Sequence, residues 1–367
     1  METEARTNLT SHSTEFTNAA WTTQSGTSFT DNDATGPDGA TSASTMDEGT
    51  DTSFKRTYDR FDGISTSQPY CFSVYLKYVD RQWARISFTT SSFNNAGYMD
   101  IDLTDGSVVN TGSTGSATLS DYGVIDCGNG WYRCFVVVTL PSTPGFAEIY
   151  MRDDTTNHTT TAAMAYTGTN KTMLVYGAQM ELNAYTPSSY IPTSGGTVAR
   201  AAETLTIAAA NMSASTSAMS FHMKGTMDYT DLTTSVDGDG ASGEVIPYRW
   251  FTDASNFISA ALDTDTGGTG GWVWEQEDAG TNDAVSGSAS ELAAGVNVAF
   301  NIAARHTSSA LNGASAGTAA TENSTPTTLD NLSAVNFESG YKLNGNITLF
   351  RQWAVDLGDT GIATAST

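Results

Sequence analysis

Asn129-Gly130-Trp131-Tyr132-Arg133-Cys134-Phe135-Val136-Val137-Val138 is the stretch that decides the fold. Asn-Gly is a tight-turn dipeptide, and the aromatic and β-branched run behind it is what a hairpin feeding a buried strand needs. Working outward, Tyr70-Cys71-Phe72-Ser73-Val74-Tyr75-Leu76-Lys77 and Trp83-Ala84-Arg85-Ile86-Ser87-Phe88 alternate large apolar with small or polar residues, the pattern of half-buried strands. Residues 98–103, ended by Thr104-Asp105-Gly106, then 147–152 and 171–182, keep the rhythm. Seven or more short strands separated by turns predict a β-sandwich. Beyond residue 201, runs at 218–224, 245–251, 257–262, 272–275, 296–305 and 346–355 predict a second one. Tyr190-Ile191-Pro192-Thr193-Ser194-Gly195-Gly196-Thr197 reads as the linker, because Pro and paired Gly suit no central strand. The Gly/Ser/Ala/Thr stretch 310–328 reads as rim loops, and no segment carries sustained helical periodicity.

The 367 residues suffice for two or three domains. Only 15% are charged, with 39% hydrophobic and 34 glycines, so Thr, Ser and Asn carry the polarity of an all-β chain. Sixteen basic residues face 40 acidic ones, a net charge of −24, and five of the sixteen are Lys. A nucleic-acid partner is disfavoured, because phosphates need basic surface. Cys71, Cys127 and Cys134 form no C-x-x-C pair and have no zinc-like spacing, so they read as structural thiols. No signal peptide is visible and no apolar run is long enough to cross a bilayer, so the expectation is a soluble chain made in a cytoplasm, without membrane insertion.

Chemistry-bearing motifs are few. Gly238-Asp239-Gly240-Ala241-Ser242-Gly243 matches a dinucleotide pattern but lacks the strand-then-helix setting, and Gly313-Ala314-Ser315-Ala316-Gly317 matches a nucleophile elbow without its context. Trp272 and Trp274, at i and i+2, share one strand face. Facing inward they are core; on an exposed face they would stack on sugar rings, and they are the glycan-binding candidates. Glu275 and Glu277 also share a face, but spacing alone does not place two carboxyl groups for glycoside hydrolysis. No cofactor is expected; Asp237 and Asp239 crowd one loop and are the candidates for a structural Ca²⁺, the alternative being a solvated acidic turn.

Taken together, Asn8-Leu9, residues 16–21, Gly128-Asn129-Gly130-Trp131-Tyr132-Arg133, Tyr176-Gly177-Ala178-Gln179-Met180-Glu181 and Ser189-Tyr190-Ile191-Pro192-Thr193 resemble a structural module of bacteriophage virion proteins, especially tail fibres and other surface appendages. The second half, with Leu343-Asn344-Gly345-Asn346-Ile347 before a final strand, resembles a concanavalin/laminin-G-like sandwich. The resemblance implies two jelly-roll-like antiparallel β-sandwich domains, 1–201 and 202–367. It implies a non-enzymatic virion structural protein, made in the bacterial cytoplasm and displayed on the particle exterior. The expected role is a tail-fibre or appendage component contributing to host-surface glycan attachment; the alternatives are a capsid decoration or head-fibre protein and, remotely, a polysaccharide depolymerase. Other virion proteins, a homo-oligomer such as a trimer, and a host glycan are the implied partners. Only about seven residues precede the first module, which favours attachment through a module face over a dedicated docking segment.

Overall fold

The computed structural model describes residues 2, 5–24, 26–160, 162–203, 217–229, 245–263, 271–288, 295–332, 336–338 and 343–367. The chain divides into two compact units, Arg6–Arg200 and Ala201–Thr367, the latter joined by Met1–Ala5. Among the described residues every strand pair is antiparallel, and both units are β-sandwiches.

In the first unit, sheet I runs Val108–Thr114, Ala96–Asp102, Trp83–Thr89, Gly145–Arg152, Lys55–Phe61, Trp21–Thr23. Sheet II runs Thr118–Asp126, Trp131–Thr139, Tyr70–Tyr78, Thr172–Leu182, Thr41–Asp47, Ser28–Thr35. The Asn129-Gly130 turn joins the first two strands of sheet II, with both residues at positive φ (54° and 75°), as a mirror-image turn requires. Period two then sends Phe72, Val74, Leu76, Cys134, Val136 and Val138 inward against Ile86, Phe88, Met99, Ile101, Ile149 and Met151 of sheet I, in one fully buried core. Cys71 and Cys134 are buried free thiols and Cys127 is an exposed one.

The opposite period-two set makes the outer faces, and both carry buried polar side chains under straps. On sheet II, residues 188–194, which take in the first part of the expected linker 190–197, lie across the sheet. Asn8 anchors this strap: its Nδ2 donates to the carbonyls of Ala178 (3.1 Å) and Ile191 (2.9 Å), and its Oδ1 accepts from Thr10 N (3.0 Å) and Met180 N (3.1 Å). Gln179 Oε1 accepts from Ile191 N, Arg133 donates to the Ser188 carbonyl, Glu181 accepts from Ser188 N and Oγ, and Ser13 Oγ accepts from Thr193 N. The linker reading is therefore corrected. Pro192 and the glycines do keep the segment out of the sheet, yet its backbone is tied down by buried partners as part of the first unit. Val198–Arg200 then pairs with Arg6–Asn8. On sheet I, Arg85 makes a two-pronged ion pair with Asp100 (2.6 and 2.8 Å), Arg152 shares Asp100 (3.2 Å), and the 156–158 segment caps both arginines through the carbonyls of Thr156 and His158.

In the second unit, sheet III runs Thr318–Ala319, Leu311–Ser315, Gly295–Thr307, Ala218–Tyr229, Asn344–Trp353, and sheet IV runs Thr281–Ser286, Gly271–Asp278, Asn256–Asp263, Val245–Asp253, Asn336–Glu338. Their shared core includes Phe221, Met223, Ile302, Tyr248, Trp250, Ile258 and Leu262. Two sequence expectations are corrected here. Part of the 310–328 stretch pairs as strands, because Leu311 and Ala314 are buried while the small residues between them keep the strand thin. Gly358–Ala365 is a helix, missed because its sole fully buried side chain is Ile362.

His306 is fully buried and stacked on Phe221 (5.9 Å, 12°), with neither ring nitrogen bonded among the described residues. Burial pushes its pKa down to about 3. Between about pH 3 and the unfolded value of about 6.5 the unfolded chain binds the extra proton, so this histidine removes stability as pH falls through that window. His306→Phe is expected to raise the second unit's stability by about 1–3 kcal/mol at pH 7 and to make its pH slope shallower below 6.5, read from urea unfolding at pH 4.5 and 7. Asn8→Ala, which strands four buried backbone groups, is expected to destabilise the first unit by about 3 kcal/mol or more in the same assay.

Candidate functional site

The structure places some of the sequence candidates and leaves others outside the described residues. Trp272 and Trp274 do share a face, and it is the inner one: both are fully buried in the second core, Trp272 against Phe300 (5.9 Å). Neither offers a ring to a sugar, and the stacking role is corrected to packing. Glu275 points the other way, 4% exposed, and accepts from Ser259 Oγ (2.9 Å); burial raises its pKa. Asp237, Asp239 and the 238–243 motif lie outside the described residues, and among the described residues no group of three or more His, Cys, Asp or Glu could hold a metal ion. Ser315 of the elbow-like motif sits in an antiparallel strand, not at a strand-to-helix turn.

The outer face of sheet III is covered in part: Ser220 and His222 are buried on it, Lys224 and Trp353 are half-buried and Arg351 is exposed. In Ala218-Met219-Ser220-Phe221-His222-Met223-Lys224 the odd residues fill the core, so Ser220, His222 and Lys224 face outward. Cross-strand register completes the face. Ser220 lies opposite Trp353, His222 opposite Arg351 and Lys224 opposite Leu349; on the other flank the partners are Arg305, Ala303 and Asn301. The helix Gly358–Ala365 covers only part of this surface. Ile362 packs on Ala303 and Ala314, small enough to let the helix approach. Arg305 anchors its start through Asp356 (2.8 and 2.6 Å) and Asp359 (2.9 Å). Its far end is held by Asn301 Nδ2 donating to the carbonyls of Ser366 (2.7 Å) and Thr367 (2.9 Å), and by Lys224 Nζ donating to Thr367 (3.2 Å).

Between the helix and the last strand runs a groove of about 660 Å³, with His222, Lys224, Leu349, Arg351 and Trp353 on its floor and Thr360, Gly361 and Thr364 on its wall. A second hollow of about 550 Å³ shares Lys224 and is lined by Phe300, Asn301, Thr318 and Thr348. Its floor needs Gly225: a Cβ there would lie 2.1 Å from the Asn346 carbonyl and 2.7 Å from the Phe300 ring. Both volumes fall in the range of small-ligand pockets, about 300–1,000 Å³.

The electrostatics are unusual for a chain of net charge −24. No Asp or Glu side chain lines either hollow, but Thr367, the last residue of the sequence, lines the first, and its oxygen accepts from Lys224 Nζ (3.2 Å) and Asn301 Nδ2 (2.9 Å). Burial lowers the His222 pKa, the Lys224 and Arg351 charges lower it further, and only the contact with Asn301 Oδ1 (Nε2–Oδ1 2.8 Å) opposes them. Arg56, Arg81, Arg85, Arg152 and Arg305 are all committed to carboxylates, whereas Arg351 is exposed and in no ion pair among the described residues. Sequence reasoning missed this face, although the i, i+2 logic that singled out Trp272 and Trp274 applies equally to Arg351 and Trp353.

No protein-family model matches the chain, and no curated protein matches it. Among solved structures it is similar to CG-16, a homodimeric agglutinin from chicken liver, at 10% identity over 41% of this chain and 99% of that one, with a TM-score of 0.26. It is similar to toad ovary galectin in complex with thio-digalactose, at 12% identity, 41% and 99% coverage, and a TM-score of 0.28. For Xenopus laevis galectin-Ib the values are 12%, 41%, 99% and 0.27.

The two kinds of tryptophan are expected to separate on mutation. Trp272→Ala should destabilise the second unit by about 3–5 kcal/mol, and Trp353→Ala by about 1 kcal/mol or less, measured as shifts in the urea midpoint.

Proposed function

We propose that this chain is a non-enzymatic protein of a bacteriophage particle's exterior that attaches to host-surface glycan through the groove on sheet III. The observation that carries the reading is the placement of Trp353, Arg351 and Lys224 around one groove, over a buried His222. The C–H faces of a sugar ring pack on an indole, while its oxygens accept from guanidinium and ammonium donors. Binding is favoured over cleavage because the paired carboxyl groups of glycoside hydrolysis are missing from the groove lining.

The sequence resemblance of the first module supports the place of display, a tail fibre or appendage assembled with other virion proteins in the bacterial cytoplasm. A homo-oligomer such as a trimer suits the mechanism: each groove binds weakly, and copies held together raise the effective concentration of the rest. Protein coupled in many copies to beads is expected to retain host envelope glycan, and Trp353→Ala beads are expected to lose it. Wild-type beads that retain none would sink the reading, and gold-labelled antibody over the head instead of the tail would make the chain a capsid decoration.

A further inference from the structure

Resting on the groove being a glycan site, we infer that the helix Gly358–Ala365 is an autoinhibitory cover over that site: it lifts from sheet III as a unit, and a sugar chain binds in the place it leaves. The groups beneath it carry the argument. Lys224 and Asn301 stand directly opposite on neighbouring strands. Both spend their donors on main-chain oxygens at the end of the helix, Asn301 Nδ2 on Ser366 (2.7 Å) and Thr367 (2.9 Å), Lys224 Nζ on Thr367 (3.2 Å). At the start of the helix, Ser220 Oγ accepts from Leu357 N (3.1 Å). Amide, ammonium and hydroxyl groups set side by side on a sheet are partners for sugar hydroxyls. Here the chain's own backbone takes that role, beside a groove whose wall the same helix forms through Thr360, Gly361 and Thr364.

The hold on the helix is of a kind that can be released. Eight residues make a marginal helix by themselves, and two of them, Gly358 and Gly361, are the poorest helix formers after proline. Ile362 is the sole side chain it buries fully, on Ala303 and Ala314. Leu357, at its N-cap, makes no side-chain capping bond. The rest of the hold at that end is polar: Arg305 on sheet III grips Asp356 and Asp359, and Glu322 accepts from the same guanidinium (2.6 Å). The three carboxylate side chains are 31% to 44% exposed, so salt weakens the grip. Ala354 and Val355, both exposed, connect the last strand to the helix and give it a hinge. A site open for part of the time binds with an affinity reduced by the open fraction, and a change that loosens the cover returns the difference.

The test uses the full chain and two variants: Asp359→Asn, which cuts one arm of the Arg305 grip, and Ile362→Ala, which removes the apolar hold. Hydrogen exchange read by mass spectrometry is expected to show residues 357–367 exchanging about tenfold faster than 218–229 and 295–307 in the wild type. In both variants that gap is expected to widen while the strands keep their protection. Helix and strands exchanging in step in all three proteins would overturn the inference. On beads at low salt, both variants are expected to retain about threefold more host envelope glycan than wild type, and wild-type retention is expected to climb toward theirs as salt is raised. Variants that retain no more than wild type overturn the cover and leave the glycan site standing. Beads that retain none with any of the three proteins bring down the glycan reading, and this inference falls with it.

Discussion

The carboxamide of Asn8 is buried where water cannot reach it, and its donors and acceptor are all used by backbone from three separate parts of the first unit. A buried amide left half-satisfied would cost more than the bonds it makes are worth, so its partners must arrive together or not at all. That condition ties the opening strand, the closing strand of sheet II and the 188–194 strap into one cooperative unit. Arg133, Gln179 and Glu181 extend the same logic across the sheet. On sheet I, Arg85, Arg152 and Asp100 obey it with charges. The first sandwich therefore closes both outer faces over its own polar groups. Sheet III of the second unit is covered only in part by one short helix, which leaves Arg351 exposed and Trp353 half-buried beside it.

Much of this was legible in the sequence. The Asn-Gly turn, the alternation in Tyr70–Tyr78 and in Trp131–Thr139, and the main strands of the second half all announced themselves by period two, because a buried face repeats apolar residues whatever its partners are. Strands whose burial is shallow did not. Ser28–Thr35 and Val108–Thr114 are edge strands of Thr, Ser, Asn and Asp, and nothing in their composition separates them from loop. The strap was misread for a different reason. Pro192 and the paired glycines do exclude it from a sheet, but the partners that immobilise it are about 180 residues away in Asn8 and Ser13. Local sequence carries no trace of such contacts.

The site was legible only in part. Pairing residues at i and i+2 is sound, but it cannot say which face of a strand is outward. For Trp272 and Trp274 the neighbours Val273, Glu275 and Glu277 were the hint, since acidic residues at the alternate positions mark the outer phase. In the last strand Phe350 and Gln352 turn inward and Arg351 and Trp353 outward, and the cross-strand meeting with His222 and Lys224 is a fact of register that no single strand encodes.

The pairing of Arg6–Asn8 with Val198–Arg200 has a consequence of another kind. The chain enters and leaves the first sandwich through neighbouring strands, with Arg6 opposite Arg200, so its two ends stand about one strand spacing, roughly 5 Å, apart. Residues on either side, Glu2 and Glu203, are themselves bonded backbone to backbone (2.8 Å). To any host chain such a sandwich is a detour that returns to its starting point. A recombination event could splice it in, or cut it out, by breaking the chain at one spot, and a lineage could trade the whole cassette without rebuilding whatever it is grafted onto.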